Sequence, residues 1–459
     1  MIKSFIGSKK FYKMILGIAL PIMLQNFITN FVSMLDNIMI GRVGTAEMTG
    51  VAIANQLIFV FNLCIFGALS GAGIFGAQFH GNGDTEGVRN ATRYKLIVCT
   101  LIVILGAFIL SIFGENLITM YLKGEGSPEN AAASLKYGTE YLGIMIISLV
   151  PYTLSQIYAS TLRETGKAVL PMTAGIISVL INLVFNYILI FGHFGAPALG
   201  VRGAAIATLI SRFAELAIIL TVTHKSSSKY EFIKGLYKKL TIPLDVFKSI
   251  TVKGMPLLIN EALWSIGVAM LNQCYSIHSQ DVVAATNITN TLWNVFSVTF
   301  MSFGATIGII IGHRLGAGDV EGAKDDNKKL MAFSFAISVV IGVLYAATSS
   351  LFPSIYNTTQ SVRELAKNLI LIGAIFMPAH SVSHSSYFTL RAGGKTFITF
   401  LFDSVFILAV SYPIAALLSY KTSVNILGVY AIIQSLDILK CIIGLFLIKK
   451  GVWINKIVD

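Results

Sequence analysis

The feature that most constrains how this chain folds is a series of twelve apolar stretches, each long enough to cross a lipid bilayer. A spanning helix needs about 20 mostly apolar residues. Only 12% of the residues are charged and 55% are hydrophobic, whereas about a quarter of the residues of a soluble domain are charged. The sequence therefore predicts an all-α membrane protein. The twelve predicted spans cover residues 14–40, 51–79, 92–113, 132–159, 168–191, 199–222, 251–276, 284–313, 328–350, 364–388, 396–419 and 426–448.

The formal net charge of +12 follows this predicted topology. Most lysines and arginines lie in the N-terminal segment, in the C-terminal segment and in the connections that follow even-numbered spans. The positive-inside rule then places both termini in the cytoplasm. We expect a multi-pass protein of the cell inner (plasma) membrane. Because topology explains the basic charge, we expect the lipid bilayer as a partner and no nucleic acid. The four cysteines lie inside apolar stretches, which argues against a disulfide framework.

A polar, glycine-rich segment occurs twice in the chain. GNGDTEGVR at residues 81–89 returns as GAGDVEGAK at residues 316–324, an offset of 235. A second block repeats at an offset of 228, where TLRETGK from Thr161 aligns with TLRAGGK from Thr389. One six-span unit is therefore used twice. Since six is even, the sequence predicts two six-helix lobes related by a pseudo-two-fold axis along the membrane normal.

The repeat defines the predicted domains. We expect an amino-terminal six-helix lobe over residues 1–223, a basic cytoplasmic linker over 224–250 and a carboxy-terminal six-helix lobe over 251–459. In the first glycine-rich segment we expect Gly81 to end one helix in the left-handed region and Asp84 to cap the next. This segment is interpreted as a structural turn, because a phosphate-binding loop needs a preceding strand and a lysine at Walker spacing.

The sequence resembles one known family over essentially the whole chain. The resemblance depends on PIMLQNFITNFVSMLDNIMIGRVG in the first span, the GNGD and GAGD turns, the paired TLR-x-x-GK turns and LGVRGAAIAT at the sixth span. In this order and spacing they resemble the MATE (multidrug and toxic compound extrusion) family. The resemblance implies export of varied, often cationic and aromatic compounds, driven by inward Na⁺ or H⁺. It implies a transporter rather than an enzyme, with no cofactor besides the coupling ion, that functions as a monomer.

Asp36 is the first candidate ion-coupling residue. A carboxylate inside a membrane span is costly and is by default a functional site. The competing interpretation is a structural carboxylate that accepts hydrogen bonds from neighbouring Asn and Ser side chains. The resemblance implies that Asp36 couples transport to the ion together with Asn182 and Asn186, spaced i and i+4, and with Thr208. Some relatives have aspartate where this chain has Asn186, which leaves the choice between Na⁺ and H⁺ open.

The carboxy-terminal half offers different acids. Glu261, in the seventh span, matches a family glutamate associated with a cation site or a cationic substrate, and its alternative is a helix-end carboxylate that reaches water. Asp403, in the eleventh span, is either functional or a structural cap. Na⁺ at Asp36 or Glu261 is the only metal considered, since His380 and His384, at i and i+4, lack a third ligand. These two histidines are interpreted as pore-facing polar groups or as proton-sensitive substitutes for a family aspartate.

We expect the substrate cavity to combine aromatic and amide side chains from several spans. Aromatic walls with few polar groups suit flat hydrophobic cations. Pro21 and Pro256 are interior prolines at matching repeat positions and are predicted hinges, with ion binding at Asp36 bending the first span. The predicted cavity residues are Gln25, Asn55, Trp264, Asn290, Trp293, His380 and His384.

Charged pairs inside the spans are interpreted as structural. Arg212 and Glu215 are one turn apart in the sixth span, and Asp437 and Lys440 repeat this arrangement in the twelfth. Three rival functions remain open: a flippase for a lipid-linked saccharide, an intramembrane enzyme built around Ser70, and a passive channel. The flippase is the main alternative to an efflux transporter.

Overall fold

The computed structural model describes residues 5–122, 128–356 and 358–458, without the side chains of residues 33, 34, 37 and 38. Within these residues every regular element is helical, and twelve helices are long and apolar enough to cross a membrane, which confirms the predicted spans. In chain order they are α1 (Lys9–Gly41), α2 (Thr45–Gly81), α3 (Thr85–Leu122), α4 (Pro128–Glu164), α5 (Val169–Phe191), α6 (Val201–Lys225), α7 (Leu244–Ser276), α8 (Gln280–Gly316), α9 (Val320–Ala347, followed by a short helix over Leu351–Ser354), α10 (Gln360–Ala392), α11 (Thr396–Lys421) and α12 (Ile426–Lys449).

Several helices extend beyond their apolar stretches, because paired charges continue them past the hydrocarbon region. Helix α3 begins at Thr85 and not at residue 92. Its first turns carry Glu86, which contacts Arg89 at 2.7 Å and Arg93 at 2.6 Å. Arg93 is buried and also donates to the carbonyls of Leu236 and Gly235. The basic connection between α6 and α7 is thereby fixed to α3.

The duplicated sequence segments form the same turns twice. In the first turn the amides of Asn82, Gly83 and Asp84 donate to Gln78, His80 and Phe79 carbonyls. The amides of the residues 235 positions later make the corresponding bonds in the second turn. The left-handed residue is Gly83, with φ +76°, and its counterpart is Gly318, with φ +73°. The prediction that Gly81 takes this conformation is wrong, because α2 closes with two further turn residues.

The chain forms two compact units that do not follow chain order. The N-unit comprises Leu24–Gly76 and Thr85–Ile250, and the C-unit comprises Met1–Met23, Ala77–Asp84 and Thr251–Asp459. Helix α1 therefore changes unit shortly after Pro21, and α2 changes unit just after Gly76. The predicted domains were drawn by chain order and do not include this exchange of two segments.

Each unit has its own helix packing. In the N-unit α6 packs on α4 and α5, and α3 packs on α4. In the C-unit α10 packs on α8, α9 and α12. Helix α11 differs from an ordinary α-helix, because Leu401–Val405 and Ile407–Ser411 are π-helical. Such wide turns are rare and often occur at functional positions.

Candidate functional site

In the N-unit, α5 presents two asparagines to the Asp36 carboxylate of α1. Asn186 Nδ2 donates to Asp36 Oδ1 at 2.6 Å. Asn182 and Asn186 are both almost fully buried, whereas Asp36 is half-buried. Their spacing of four residues places them on one face of α5. The structure therefore brings together the predicted aspartate and asparagines.

The Asn182 amide fits its site in either of two orientations, and they differ in which atom faces Asp36. In one, Asn182 Oδ1 accepts from Asn186 Nδ2 at 3.1 Å and Nδ2 donates to Thr208 Oγ1 at 3.2 Å. In the reversed orientation Nδ2 donates to both Asp36 carboxylate oxygens at 3.1 Å and Oδ1 accepts from Thr208. We prefer the second orientation for an ionised Asp36 because Asn182 then donates to the carboxylate, although its Nδ2 also lies 3.1 Å from Asn186 Nδ2. The first turns an oxygen toward two carboxylate oxygens, an arrangement that needs a cation or a proton to be stable.

Two further observations describe the electrostatics of this group. Asn186 Oδ1 is buried and has no hydrogen-bond partner among the described residues. Asp36 forms no ion pair within the described part of the chain, because the nearby Arg212 contacts Glu215 at 3.1 Å. The predicted Arg212–Glu215 pair is thus confirmed. Within the described residues, the hydrogen bonds to the Asp36 carboxylate come from amide groups, and Thr208 contacts Asn182 behind them.

The C-unit contains a different cluster, centred on Asp403 in the π-helical part of α11. Asn260 Nδ2 of α7 donates to Asp403 Oδ2 at 3.1 Å, and Lys440 Nζ of α12 donates to Asp403 Oδ1 at 3.4 Å. Ser404 Oγ donates to the Asn260 carbonyl at 2.7 Å. Lys440 is 4.0 Å from Asp437. The predicted pairing of Lys440 with Asp437 is therefore present but longer than its contact with Asp403.

His380 continues this cluster onto α10. Its Nδ1 contacts an Asp437 carboxylate oxygen, and its Nε2 lies 2.7 Å from Gln434 Oε1. Both ring nitrogens of His380 therefore have polar partners on α12. His384 packs instead against the Phe300 ring, at 5.2 Å between centroids. The two histidines therefore have different partners, and the described residues contain no group of three or more His, Cys, Asp or Glu side chains arranged around a metal.

Glu261 and the prolines occupy less constrained positions. Glu261 is half-buried next to Asn260 on α7, with Arg391 and Asp403 among the charges that act on it. Pro21 is buried and Pro256 is half-buried, and each lies inside a helix that continues past it. Their hinge role stays a prediction.

The predicted cavity residues divide between the units. In the N-unit, Gln25 packs against Gly175, and Asn55 Oδ1 accepts from Tyr141 at 3.3 Å. In the C-unit, Trp264 is 39% exposed and Asn290 is half-buried. Their grouping into one cavity stays a prediction.

Trp293 links the predicted cavity residues to the charged cluster. Its ring centroid lies 4.9 Å from that of His380 and 5.9 Å from that of Tyr345. Sequence reasoning missed Gln434 and Asp437 as the partners of His380. The available signal was an acid and an amide one turn apart in an otherwise apolar span.

The chain matches a family model and many curated relatives. The MatE model matches residues 21–188 and 256–433, once in each half. A probable multidrug resistance protein NorM of Thermotoga maritima is 25% identical over 450 residues, covering 97% of this chain and 94% of the relative. The multidrug resistance protein MdtK of Pectobacterium atrosepticum is 25% identical over 402 residues, covering 84% and 83%.

Solved structures share the fold. A mutant of the Vibrio cholerae MATE transporter VcmN superposes with a TM-score of 0.86 at 17% identity, covering 98% of both chains. A MOP superfamily transporter from Pyrococcus furiosus gives a TM-score of 0.83 at 17% identity, covering 98% of this chain and 97% of that one.

Proposed function

The chain belongs to the MatE family, whose members are transporters, and from that premise we propose that it is a secondary active efflux transporter. It exports organic, often cationic and aromatic compounds in exchange for inward Na⁺ or H⁺ by alternating access. It works in the plasma membrane with both termini in the cytoplasm, and a monomer suffices.

The observation that carries this proposal is the environment of Asp36. A half-buried acid inside a membrane span, with no ion-pair partner among the described residues, is an expensive feature of a membrane protein and is retained where it binds a cation or a proton. Here its surroundings are amide and hydroxyl groups, which can offer oxygen to a hard cation. The buried and unpartnered Asn186 Oδ1 supports this role, because a cation beside Asp36 gives that oxygen a partner.

The Asn182 amide supplies a mechanism for sensing the ion. When Asp36 is ionised and free, Asn182 donates its N–H groups to the carboxylate. When a cation binds, rotation of the amide turns Oδ1 toward the cation, and Nδ2 then donates to Thr208. A proton bound to Asp36 turns one carboxylate oxygen into a hydrogen-bond donor. This donor can then bond to Asn182 Oδ1 in place of the cation. The ion thus changes the contacts between α1 and α5, and Pro21 of α1 lies near the point where the helix changes unit.

Three basic side chains inside the helices are paired with acids, which does not favour the flippase alternative. Lys95, Arg212 and Lys440 each contact an acid, at 2.5 Å, 3.1 Å and 3.4 Å. A flippase for a lipid-linked saccharide needs free positive charge for the phosphate groups of its substrate. The efflux function is the one that the geometry supports best.

The test uses purified protein in liposomes under separately imposed Na⁺ and proton gradients, with uptake of ethidium as the readout. We expect one gradient to drive uptake and Asp36→Asn to reduce it to the protein-free background. Asp245→Asn is the matched control, because it makes the same change at an exposed acid in the first turn of α7. Gradient-driven uptake by Asp36→Asn at the parental rate contradicts the coupling role, and uptake that ignores both gradients points to a channel.

A further inference from the structure

The end of α2 packs backbone to backbone on the end of α8, and the contact repeats itself. A Cβ on Gly81 would overlap the His313 carbonyl, and a Cβ on Gly316 would overlap the Gln78 carbonyl. At the offset of 235, Gly81 aligns with Gly316 and Gln78 aligns with His313. The repeated glycines are therefore required by this contact. All four residues belong to the C-unit.

The two repeats differ at Gln78, whose counterpart at the offset of 235 is His313. The Gln78 side chain is fully buried, and all of its bonds reach outside α2. Its Nε2 donates to the Ala392 carbonyl at 2.9 Å and to the Asn455 carbonyl at 3.1 Å. Its Oε1 accepts from the Ile457 amide at 2.8 Å. One amide group thus joins the end of α2 to the end of α10 and to the segment after α12.

The segment over residues 451–458 is fixed by further contacts. Trp453 is 2% exposed, and its Nε1 donates to the Ile448 carbonyl at 3.1 Å. Asn455 Nδ2 donates to the Gly393 carbonyl at 3.2 Å. Lys456 Nζ donates to Asn82 Oδ1 at 3.1 Å, at the tip of the first glycine-rich turn. These residues are therefore packed as part of the C-unit.

We propose that residues 451–458 form a latch that holds the C-terminal ends of α2 and α10 together, and that transport requires this latch to release. Gln78 is the positioning residue of the latch. The proposal rests on the proposed function, because alternating access requires the side that carries the termini to open in each cycle. Helix α2 passes from the N-unit to the C-unit after Gly76, two residues before Gln78. A movement of α2 at this point strains the three Gln78 bonds, and a buried amide left without partners is costly.

The first experiment locks the latch reversibly. Asn82→Cys and Lys456→Cys are combined in a chain whose four native cysteines are replaced by serine or alanine. A short bifunctional methanethiosulfonate reagent joins the two thiols. We expect gradient-driven ethidium uptake to fall about tenfold or more, and reductant to restore it, whereas each single-cysteine variant treated in the same way keeps its rate. Parental uptake by the fully crosslinked protein overturns the requirement for release.

The second experiment does not depend on transport. Amide hydrogen exchange of residues 452–458 is followed by mass spectrometry in the parent, in Gln78→Leu and in Lys456→Ala. Because Gln78→Leu removes three hydrogen bonds of a buried side chain, we expect exchange to accelerate by more than about tenfold. Lys456→Ala removes one exposed contact and serves as the matched control, with a change of about threefold or less. Equal exchange in Gln78→Leu and the parent overturns the role of Gln78.

The two experiments separate the latch from the proposed function. If the parent moves no ethidium under either gradient, the proposed function fails, while the exchange measurement still decides whether Gln78 holds the segment. If Gln78→Leu does not fold, Gln78→Asn shortens the amide and must also accelerate exchange of residues 452–458. Unchanged exchange in a folded Gln78→Asn protein contradicts the proposal.

Discussion

The N-unit and the C-unit descend from one repeated sequence, yet they place charge in different ways. The N-unit holds one acid, Asp36, among amides, and its repeat counterpart in the C-unit is Leu271. At the offset of 228, Asn186 aligns with Ile414 and Thr208 with Leu436. Leu271, Ile414 and Leu436 are members of one hydrophobic cluster of the C-unit. The C-unit positions that correspond to Asp36, Asn186 and Thr208 thus belong to an ordinary apolar core.

The reverse comparison is equally uneven. Lys440 aligns with Arg212, so both halves keep a base at this level of the helix. His380 aligns with Tyr152 and Asp437 with Leu209, and the N-unit therefore lacks the acid and the histidine. In the C-unit each acid of the cluster contacts a base or a histidine. Asp36 has no such partner among the described residues, and its proposed coupling role depends on this difference.

A second pair of regions shows the opposite bias. Lys95 and Glu164 form a fully buried ion pair in the N-unit, with oxygens 2.5 and 2.7 Å from Lys95 Nζ. Glu164 also lies against Gly73 and Gly76, where a side chain would collide with its carboxylate. Their counterparts in the C-unit are Leu330 and Ala392. The same helix contact is therefore ionic in one unit and apolar in the other.

The largest expected effect comes from breaking the C-unit cluster. Asp437→Leu leaves His380 and Lys440 without their shared acid, and removing one partner of a buried pair costs about 3–5 kcal/mol. Asp36→Leu removes an acid that has no ion-pair partner among the described residues, and we expect a smaller loss, limited to the hydrogen bonds that Asn186 and Asn182 donate to it. Unfolding in detergent, followed by thermal and denaturant titration, compares the two. Equal destabilisation would remove the distinction between a self-paired and an available acid.

The next prediction concerns the ion pair between α3 and α4. Lys95→Met alone removes the cation that contacts the buried Glu164 carboxylate, with an expected loss of about 3 kcal/mol. The double variant Lys95→Met, Glu164→Met imitates the apolar character of the C-unit, and it should recover the parental stability within about 1 kcal/mol. A double variant no more stable than the single one shows that the pair has a role that apolar packing cannot replace.

A change at Asn186 tests how the charge of the polar group around Asp36 affects cation binding. Asn186→Asp places a second carboxylate beside Asp36 and should raise the apparent affinity for Na⁺ by about tenfold, since affinity for a hard cation rises with ligand charge. The Na⁺ concentration that half-stabilises the protein in thermal unfolding gives the affinity. Asn260→Asp, the corresponding change beside Asp403, should create no Na⁺ response, because Lys440 already faces that carboxylate. A response in Asn260→Asp alone assigns the cation to the C-unit.

The smallest expected effect tests whether the repeated turns are equivalent. Asp319 Oδ1 accepts from the Gly322 amide at 2.9 Å and caps α9. Asp319→Ala should therefore cost about 1 kcal/mol. Asp84→Ala should cost the same within about 0.5 kcal/mol if the first turn is capped in the same way. Thermal unfolding measures both losses of stability. A larger difference shows that the two turns contribute differently to the stability of the protein.

The sequence predicted those features that depend on local pattern or on the repeat. The twelve spans follow from apolar length, and the group of Asp36, Asn182 and Asn186 follows from one face of α5 together with the resemblance. The pairing of His380 with Asp437 was not predicted, because it depends on the rotation of α10 against α12. The contact between Asp403 and Asn260 was not predicted either, because Asp403 lies in a π-helical stretch and no residue pattern in the chain predicts that wider turn. The sequence-based prediction explained Gly81 by a left-handed backbone conformation. The structure instead requires glycine there because the ends of α2 and α8 pack backbone to backbone.

The exchange of the first and second helix ends between the units has a consequence for engineering. A fragment that stops at the linker carries residues 1–23 and 77–84 without the packing partners that the second half supplies. Neither half is a self-sufficient module, and swapping halves between related proteins must carry these two short segments along with the recipient's second half.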